Sequence, residues 1–155
     1  MAGSHSSRPM LDDVSKAIIE QLQEDGRRSY AAIGKVVGLS EAAVRQRVQR
    51  LSESGVMQIV AVTNPLELGF ARAAMIGVRV SGPTSPVADA LAELDEVIYV
   101  VVTAGSIDIV IEIVAQSEDD LLAISDKIRR IEGVRATETF VYLDIRKETY
   151  NWGVR

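Results

Sequence analysis

The chain of 155 residues contains no cysteine. Disulfides, thiolate metal sites and cysteine nucleophiles are thereby excluded, an absence that suits a cytoplasmic protein. Its one histidine, His5, lies in a polar N-terminal stretch. No Ser-His pair, metal-ligand cluster or phosphate-cradling loop is visible, so catalysis is not expected and no cofactor or metal is called for. No run approaches the ~20 continuous apolar residues of a membrane span, and none reads as a signal peptide. Residues 1–10 (MAGSHSSRPM) are expected to be a disordered tail or tag remnant, and are left out of the fold reasoning.

What is present is enough for a packed interior, since 47 % of residues are hydrophobic. At this length the chain holds one ordinary domain or two small ones. The formal net charge is −5, unevenly spread. Residues 27–56 carry six Lys or Arg against two acids, whereas residues 61–155 carry nine against fifteen. An acidic chain with one basic patch is suited to local contact with DNA through that patch.

The basic patch has a recognisable form. Leu11, Val14, Ile18 and Leu22 recur at helical spacing and predict a helix over 11–24, with Asp12 and Asp13 in its first turn and Asp25-Gly26 at its end. Ser29 is placed to cap a second helix, whose apolar face is read as Ile33, Val36 and Val37. Gly38 should end it in a left-handed conformation, and Ser40 should cap a third helix. In that helix Val44, Val48 and Leu51 face inward, and Gly55 closes it. Ala42, Arg45, Gln46 and Gln49 then point outward with Arg50 beside them. Two short helices joined by Gly38-Leu39-Ser40 are the sequence form of a helix-turn-helix.

Arg and Gln match guanine and adenine edges in the major groove. Arg27, Arg28 and Lys35 suit phosphates, which position without specifying. Arg47 lies toward the core flank, placed either to reach a phosphate or to pack as a structural residue. The same arginines and glutamines also fit a plain solvated helix face. The three-helix spacing, the Gly-Leu-Ser turn and the local charge favour double-stranded DNA as the partner.

Residues 56–71 read as a short strand, VMQIVAVT at 56–63, and a linker broken by Asn64-Pro65 and Gly69, with Leu66 and Leu68 as packing residues. From Arg72 the pattern changes. Ala74, Ile76, Val78 and Val80 alternate as in a strand. Val87, Leu91 and Leu94 mark a helix, 97–103 a strand, Ile107 to Ile113 a strand with its isoleucines on one face. Leu121, Ile124, Ile128 and Ile131 mark a second helix, and 134–145 a last strand. The order β-α-β-β-α-β predicts a ferredoxin-like domain over 72–146, followed by a tail at 147–155. Helices cover only one face of such a sheet. The other, with Val110 and Val114, should pack on a second copy, giving a homodimer.

The turn TAGSID places Thr103, Ala104, Gly105, Ser106 and Asp108 between two strands. Gly105 lets backbone amides approach an α-carboxylate, and Asp108 can accept from an α-ammonium group. Thr137 and Thr139 on the last strand offer hydroxyls. An ordinary hairpin in which Asp108 satisfies turn amides fits the same residues. Tyr150 and Trp152 are candidates to pack on a partner subunit or to form a mobile tail.

From Leu11 to about Leu143 the chain resembles the Lrp/AsnC (feast/famine) family of transcription regulators. The matching segments are LDDVSKAIIEQLQEDGR at 11–27, GLSEAAVRQRVQRLSESGV at 38–56, NPLELG at 64–69, the TAGSID turn and GVRATETFVYL at 133–143. The resemblance implies an α+β chain: a winged-type helix-turn-helix at 11–55, then a regulatory domain of amino-acid metabolism. It further implies dimers that assemble further, often to octamers, and a small effector, usually an amino acid, near Gly105 and Asp108. Ser106-Ile107 departs from the larger polar or aromatic residue that many members carry before the aspartate. Sirohaem decarboxylases are similar to this family but use histidines in the C-terminal domain, which this chain lacks. An architectural DNA-binding protein without an effector is the alternative reading.

Overall fold

The computed structural model describes residues 11–149 together with 153 and 154. Two compact units are formed, one from the chain up to Ala61 with the segment from Lys147 onward, the other from Val62–Arg146. The expectations for residues 1–10, Tyr150 and Trp152 lie outside the described residues.

In the first unit, three helices follow the expected capping signals. Helix α1 spans Asp13–Glu24, α2 Tyr30–Val37 and α3 Glu41–Glu53. The hydroxyls of Ser29 and Ser40 accept from the amides of Ala32 and Ala43, both at 3.2 Å. Each satisfies an N–H that the helix itself cannot. Gly38 ends α2 at φ 73°, ψ 30°, the left-handed conformation in which a Cβ would be strained. Ile18, Leu22, Ile33, Val44 and Val48 form one buried cluster. Asp12 is the N-cap of α1 rather than part of its first turn, its carboxylate accepting from Ser15 N–H at 2.8 Å. Val36 is 64 % exposed instead of packing with Ile33 and Val37, because α2 is only eight residues long and buries a narrow stripe.

The segment 56–63 also departs from its expected strand. It forms no strand, and no wing strand follows α3 among the described residues. A strand needs a neighbour for its ladder, and here the amides of Val56 and Met57 both turn back to the carbonyl of Leu51. Ile59, Val60 and Val62 stay exposed. Within the second unit a 3-10 turn at Pro65–Leu68 precedes the first strand, with Leu68 62 % exposed rather than packed.

The second unit has strands β1 (Arg72–Val80), β2 (Val97–Val102), β3 (Ile109–Ala115) and β4 (Val134–Val141), with helix α4 (Thr84–Ala92) after β1 and helix α5 (Glu118–Arg129) after β3. The sheet order is β2-β3-β1-β4, with every pairing antiparallel. This is the expected β-α-β-β-α-β arrangement. Ala74, Ile76 and Val78 of β1 and Ile109, Ile111 and Ile113 of β3 are buried beneath the helices with Val87, Leu91, Ile124 and Ile128. Strand β4 ends at Val141, short of the expected 145. Only the Tyr142 amide extends its pairing, to Ala73, and Leu143 is 95 % exposed.

Ile107 departs from the expected isoleucine row. Strand β3 begins two residues later, and the Ile107 side chain lies where a Cβ on Gly77 would point. Gly77 alternates with the buried Ile76 and Val78, so Ile107 covers the opposite face of the sheet. That face also carries Met75, Val110, Glu112 and Phe140 and has no helix over it.

Candidate nucleic-acid interface and effector turn

Helix α3 presents the expected outer face. Ala42, Arg45, Gln46, Gln49 and Arg50 are exposed while Val44, Val48 and Leu51 are buried. The polar side chains are tied to one another in the free protein. Arg50 Nη2 donates to Gln46 Oε1 at 3.1 Å, and Gln49 Nε2 donates to Glu53 Oε1 at 2.8 Å. Arg45 Nη2 donates to Glu41 Oε1 at 2.7 Å, and its guanidinium carbon lies 5.4 Å from the centre of the Tyr30 ring. Solvent-exposed pairs of this kind contribute only about 0.3–0.5 kcal/mol each, so DNA can replace them at little cost. Ser40 serves as the cap of α3.

The other basic candidates divide. Arg27 and Lys35 are exposed. Arg28 instead spans to α1, donating to Gln21 Oε1 at 2.5 Å and to Glu24 Oε2 at 3.0 Å. Arg47 clamps α3 to the start of α1. Its Nη1 reaches Asp12 Oδ2 at 2.7 Å, Asp12 Oδ1 at 3.0 Å and Ser15 Oγ at 3.0 Å. With Ser15, the guanidinium holds the Asp12 carboxyl down at about 2. Of the two roles read for Arg47, the geometry supports the structural one. Tyr30 and Glu41 were not singled out in the sequence. The i, i+4 spacing of Glu41 and Arg45 was the available signal.

In the second unit, the turn 103–108 joins β2 to β3. The Thr103 amide donates to the Asp108 carbonyl at 2.9 Å, and the Thr103 hydroxyl donates to the Ile107 carbonyl at 2.6 Å. Asp108 docks the turn on the end of β1: its amide donates to the Val78 carbonyl, and its Oδ2 accepts from Val80 N–H at 2.9 Å. Ala104, Gly105 and Ser106 form the exposed tip. Gly105 has φ 148°, outside the range favoured by side-chain-bearing residues. Thr137 and Thr139 are at the far side of β1. Val78 is the register partner of both Ile109 and Thr137, so two strand spacings, about 10 Å, separate turn and threonines. Thr137 accepts from Arg129 Nε at 3.1 Å, and Thr139 is exposed. Their register with Val78 and Ile76 also turns both threonines to the helix-covered face of the sheet, so the single sheet does not close these groups around a small molecule. A shallow cavity of about 210 Å³ beside them is lined by Gly77, Arg79, Ala136, Thr137 and Glu138.

A capped helix-turn-helix with an outward row of arginine and glutamine, in one chain with a separate β-α-β-β-α-β domain, defines a DNA-binding regulator. The profile of the AsnC-type helix-turn-helix domain matches residues 11–52, and that of the Lrp/AsnC ligand binding domain matches residues 73–152. The HTH-type transcriptional regulator FL11 of Pyrococcus furiosus is 40 % identical over 144 residues, covering 92 % of this chain and 95 % of that one. Among solved structures, E. coli AsnC shares 28 % identity at a TM-score of 0.76, with 91 % of this chain and 97 % of that chain covered. The LrpA protein of Mycobacterium tuberculosis shares 28 % identity at a TM-score of 0.82, with 89 % and 96 % covered. The chain belongs to the Lrp/AsnC family of transcriptional regulators. It is a regulator of transcription, not an enzyme.

Proposed function

We propose that this regulator reads specific duplex sequences through Arg45, Gln46 and Gln49 and adjusts its DNA binding or assembly to a small effector, an amino acid or a close relative. The observation that carries the first half is the exposed polar face of α3 set on a buried, capped scaffold. Arg27, Lys35 and Arg50 contribute phosphate contacts, and Arg28 adds one if it leaves α1. The second half rests on the matched ligand-binding domain and on the chemistry of the 103–108 turn. The M. tuberculosis relative is described as a leucine response regulatory protein, which makes an amino acid the natural first class to test. Thr103 to Ser106 and Asp108 supply the wall, whereas Thr137 and Thr139 lie across β1 on the helix-covered face and stay outside it. A second copy packed against the exposed turn closes the site. The uncovered sheet face fits a homodimer as the basic unit, with higher assembly built on it. Residues 11–55 form the reading head, 56–71 the connection and 72–146 the effector and assembly domain. Such a protein works where the DNA is, in the cytoplasm.

Fluorescence anisotropy on the protein's own upstream DNA and a scrambled duplex, with and without pooled amino acids, tests the reading. Preference for the upstream DNA that the pool alters is the expected result. Equal binding to both, unmoved by amino acids, would replace it with an architectural role. Arg45→Ala or Gln46→Ala should weaken the specific complex by about 1–3 kcal/mol and relax base preference at one position. Light scattering at micromolar concentration should give twice the 16.8 kDa chain mass or more.

A further inference from the structure

We infer that Glu41 and Tyr30 set the selectivity of the DNA-reading head: Tyr30 orients Arg45 toward the groove, and Glu41 suppresses its attachment to DNA that lacks the right base. This rests on α3 being the reading helix. Tyr30 is the first residue of α2, held half-buried against the helix-turn-helix core by its position after the Ser29 cap. The Arg45 guanidinium lies over its ring at 5.4 Å. An arginine side chain has four soft torsions. Stacked on a half-buried ring, it keeps fewer of them, so less ordering remains to be done on the DNA. The same ring forms one wall of a cleft of about 530 Å³ beside α3.

Glu41 acts through charge. Its carboxylate, 2.7 Å from Arg45, sits in the first turn of α3, the end of a reading helix that enters the major groove. Off DNA it neutralises the arginine that would otherwise attract any phosphate. On DNA it faces the backbone and opposes binding. That cost is recovered where Arg45 forms a bidentate contact with a guanine edge, and it is not recovered on random sequence. Both side chains of the pair are more than half exposed, so the link breaks readily when a better partner is presented.

The test uses the full-length protein on a duplex selected from a randomised pool with the unaltered chain, compared with a scrambled duplex, over a salt series. Glu41→Gln keeps the side-chain shape and removes the charge. It should tighten binding to the scrambled duplex on the order of fivefold at physiological salt and steepen the salt slope by about one counterion, while leaving the selected duplex less affected. The specificity ratio then falls. Tyr30→Leu should weaken the selected complex roughly two- to fivefold with little change on scrambled DNA, and Tyr30→Phe, which keeps the ring, should restore it. Thermal unfolding of each variant separates a folding defect from a reading defect, since the Phe variant preserves the packing. Unchanged specificity and salt slope in Glu41→Gln, or equal losses on both duplexes in Tyr30→Leu and Tyr30→Phe, overturn the inference. Arg45→Ala is the control for the underlying reading. If it leaves base preference intact, α3 is not the reading helix at all. If it erases preference while the other variants behave as the parent, the assigned roles of Tyr30 and Glu41 alone are wrong.

Discussion

Gly34 is the residue on which the helix-turn-helix geometry most depends. It lies in α2 with an ordinary helical backbone, so by propensity alone Gly34→Ala should stabilise the helix by about 0.5–1 kcal/mol. The tertiary setting reverses that sign. A Cβ at Gly34 would be 2.4 Å from the Leu39 carbonyl oxygen, whereas real Cβ atoms stay at about 3.0 Å or more from such neighbours, so at least about 0.6 Å of movement is forced. The obstacle is backbone, not a side chain that can swing away. Leu39 is pinned by its own amide, which donates to the Gly34 carbonyl at 2.9 Å, and by Ser40 capping the next helix. Over-packing of this kind costs about 1–3 kcal/mol. With both taken at mid-range, the net loss is about 1 kcal/mol, a drop of roughly 4–8 °C in the melting of a unit this small. Circular dichroism melts of Gly34→Ala and of Gly26→Ala form the comparison. Gly26 has open space, its nearest obstacle at 3.8 Å, so the second variant should match or exceed the parent. A Gly34→Ala protein as stable as the parent, and still reading DNA, would refute the reasoning.

Three further perturbations follow from named contacts. Asp12, held at about 2 by Ser15 and Arg47, contributes stability that is present above its unfolded value near 3.8 and lost as pH falls toward 2. The stability difference between the parent and Asp12→Asn should therefore be nearly constant above about pH 5, shrink as pH falls from about 4 through 2, and vanish only below that; a difference that stays unchanged from about pH 5 down to pH 2 contradicts the clamp. Asp108→Ala removes the acceptor of Val80 N–H and should cost about 1 kcal/mol by denaturant titration without unfolding the sheet. It should also abolish any amino-acid-induced thermal shift, and an unchanged shift moves the effector site elsewhere. Ile111→Ala, at a fully buried position of a central strand, should cost about 2–5 kcal/mol, and a loss below 1 kcal/mol would mean the core re-forms around it.

The elements legible in the sequence are those whose causes are local. Ser29, Ser40 and Gly38 announce helix ends because a cap is decided within three or four residues. Ile109, Ile111 and Ile113 announce a half-buried strand because alternation is intrinsic to the pleat. What was not legible depends on contacts remote in sequence. Arg47 looked equally suited to phosphate or core because its partner Asp12 is 35 residues away. Alternation alone puts Ile107 on the wrong face, because only the position of Gly77 on β1 reveals where its side chain lies. Residues 56–63 have strand composition but no strand, since composition cannot supply the neighbour a ladder needs. For the candidate site, the outer face of α3 follows from periodicity, whereas the separation of Thr137 from Asp108 follows only from the strand order.

Tyr142 carries a consequence of that strand order for alkaline stability. It follows β4, its amide paired to Ala73, and Glu112 of β3 is its charged neighbour on the sheet face without helices. Burial first, and then the Glu112 carboxylate as a negative neighbour and hydrogen-bond acceptor, push the phenol up to about 12 from an ordinary value of 10. The folded state thus holds a proton that the unfolded chain releases. Its contribution is fully present below pH 10 and is lost as pH rises through 12, so stability should fall across that window. Ultraviolet titration of the parent against Tyr142→Phe should assign the last tyrosine to ionise to this position. Glu112→Gln should lower that midpoint while leaving it above 10, because desolvation, the largest cause, remains. If the sheet face is covered by a second copy, burial deepens, and dilution below the dissociation constant should bring the midpoint down toward the value set by one chain. A midpoint at 10 in the parent, or one that Glu112→Gln leaves unmoved, would show that the phenol and the carboxylate do not meet.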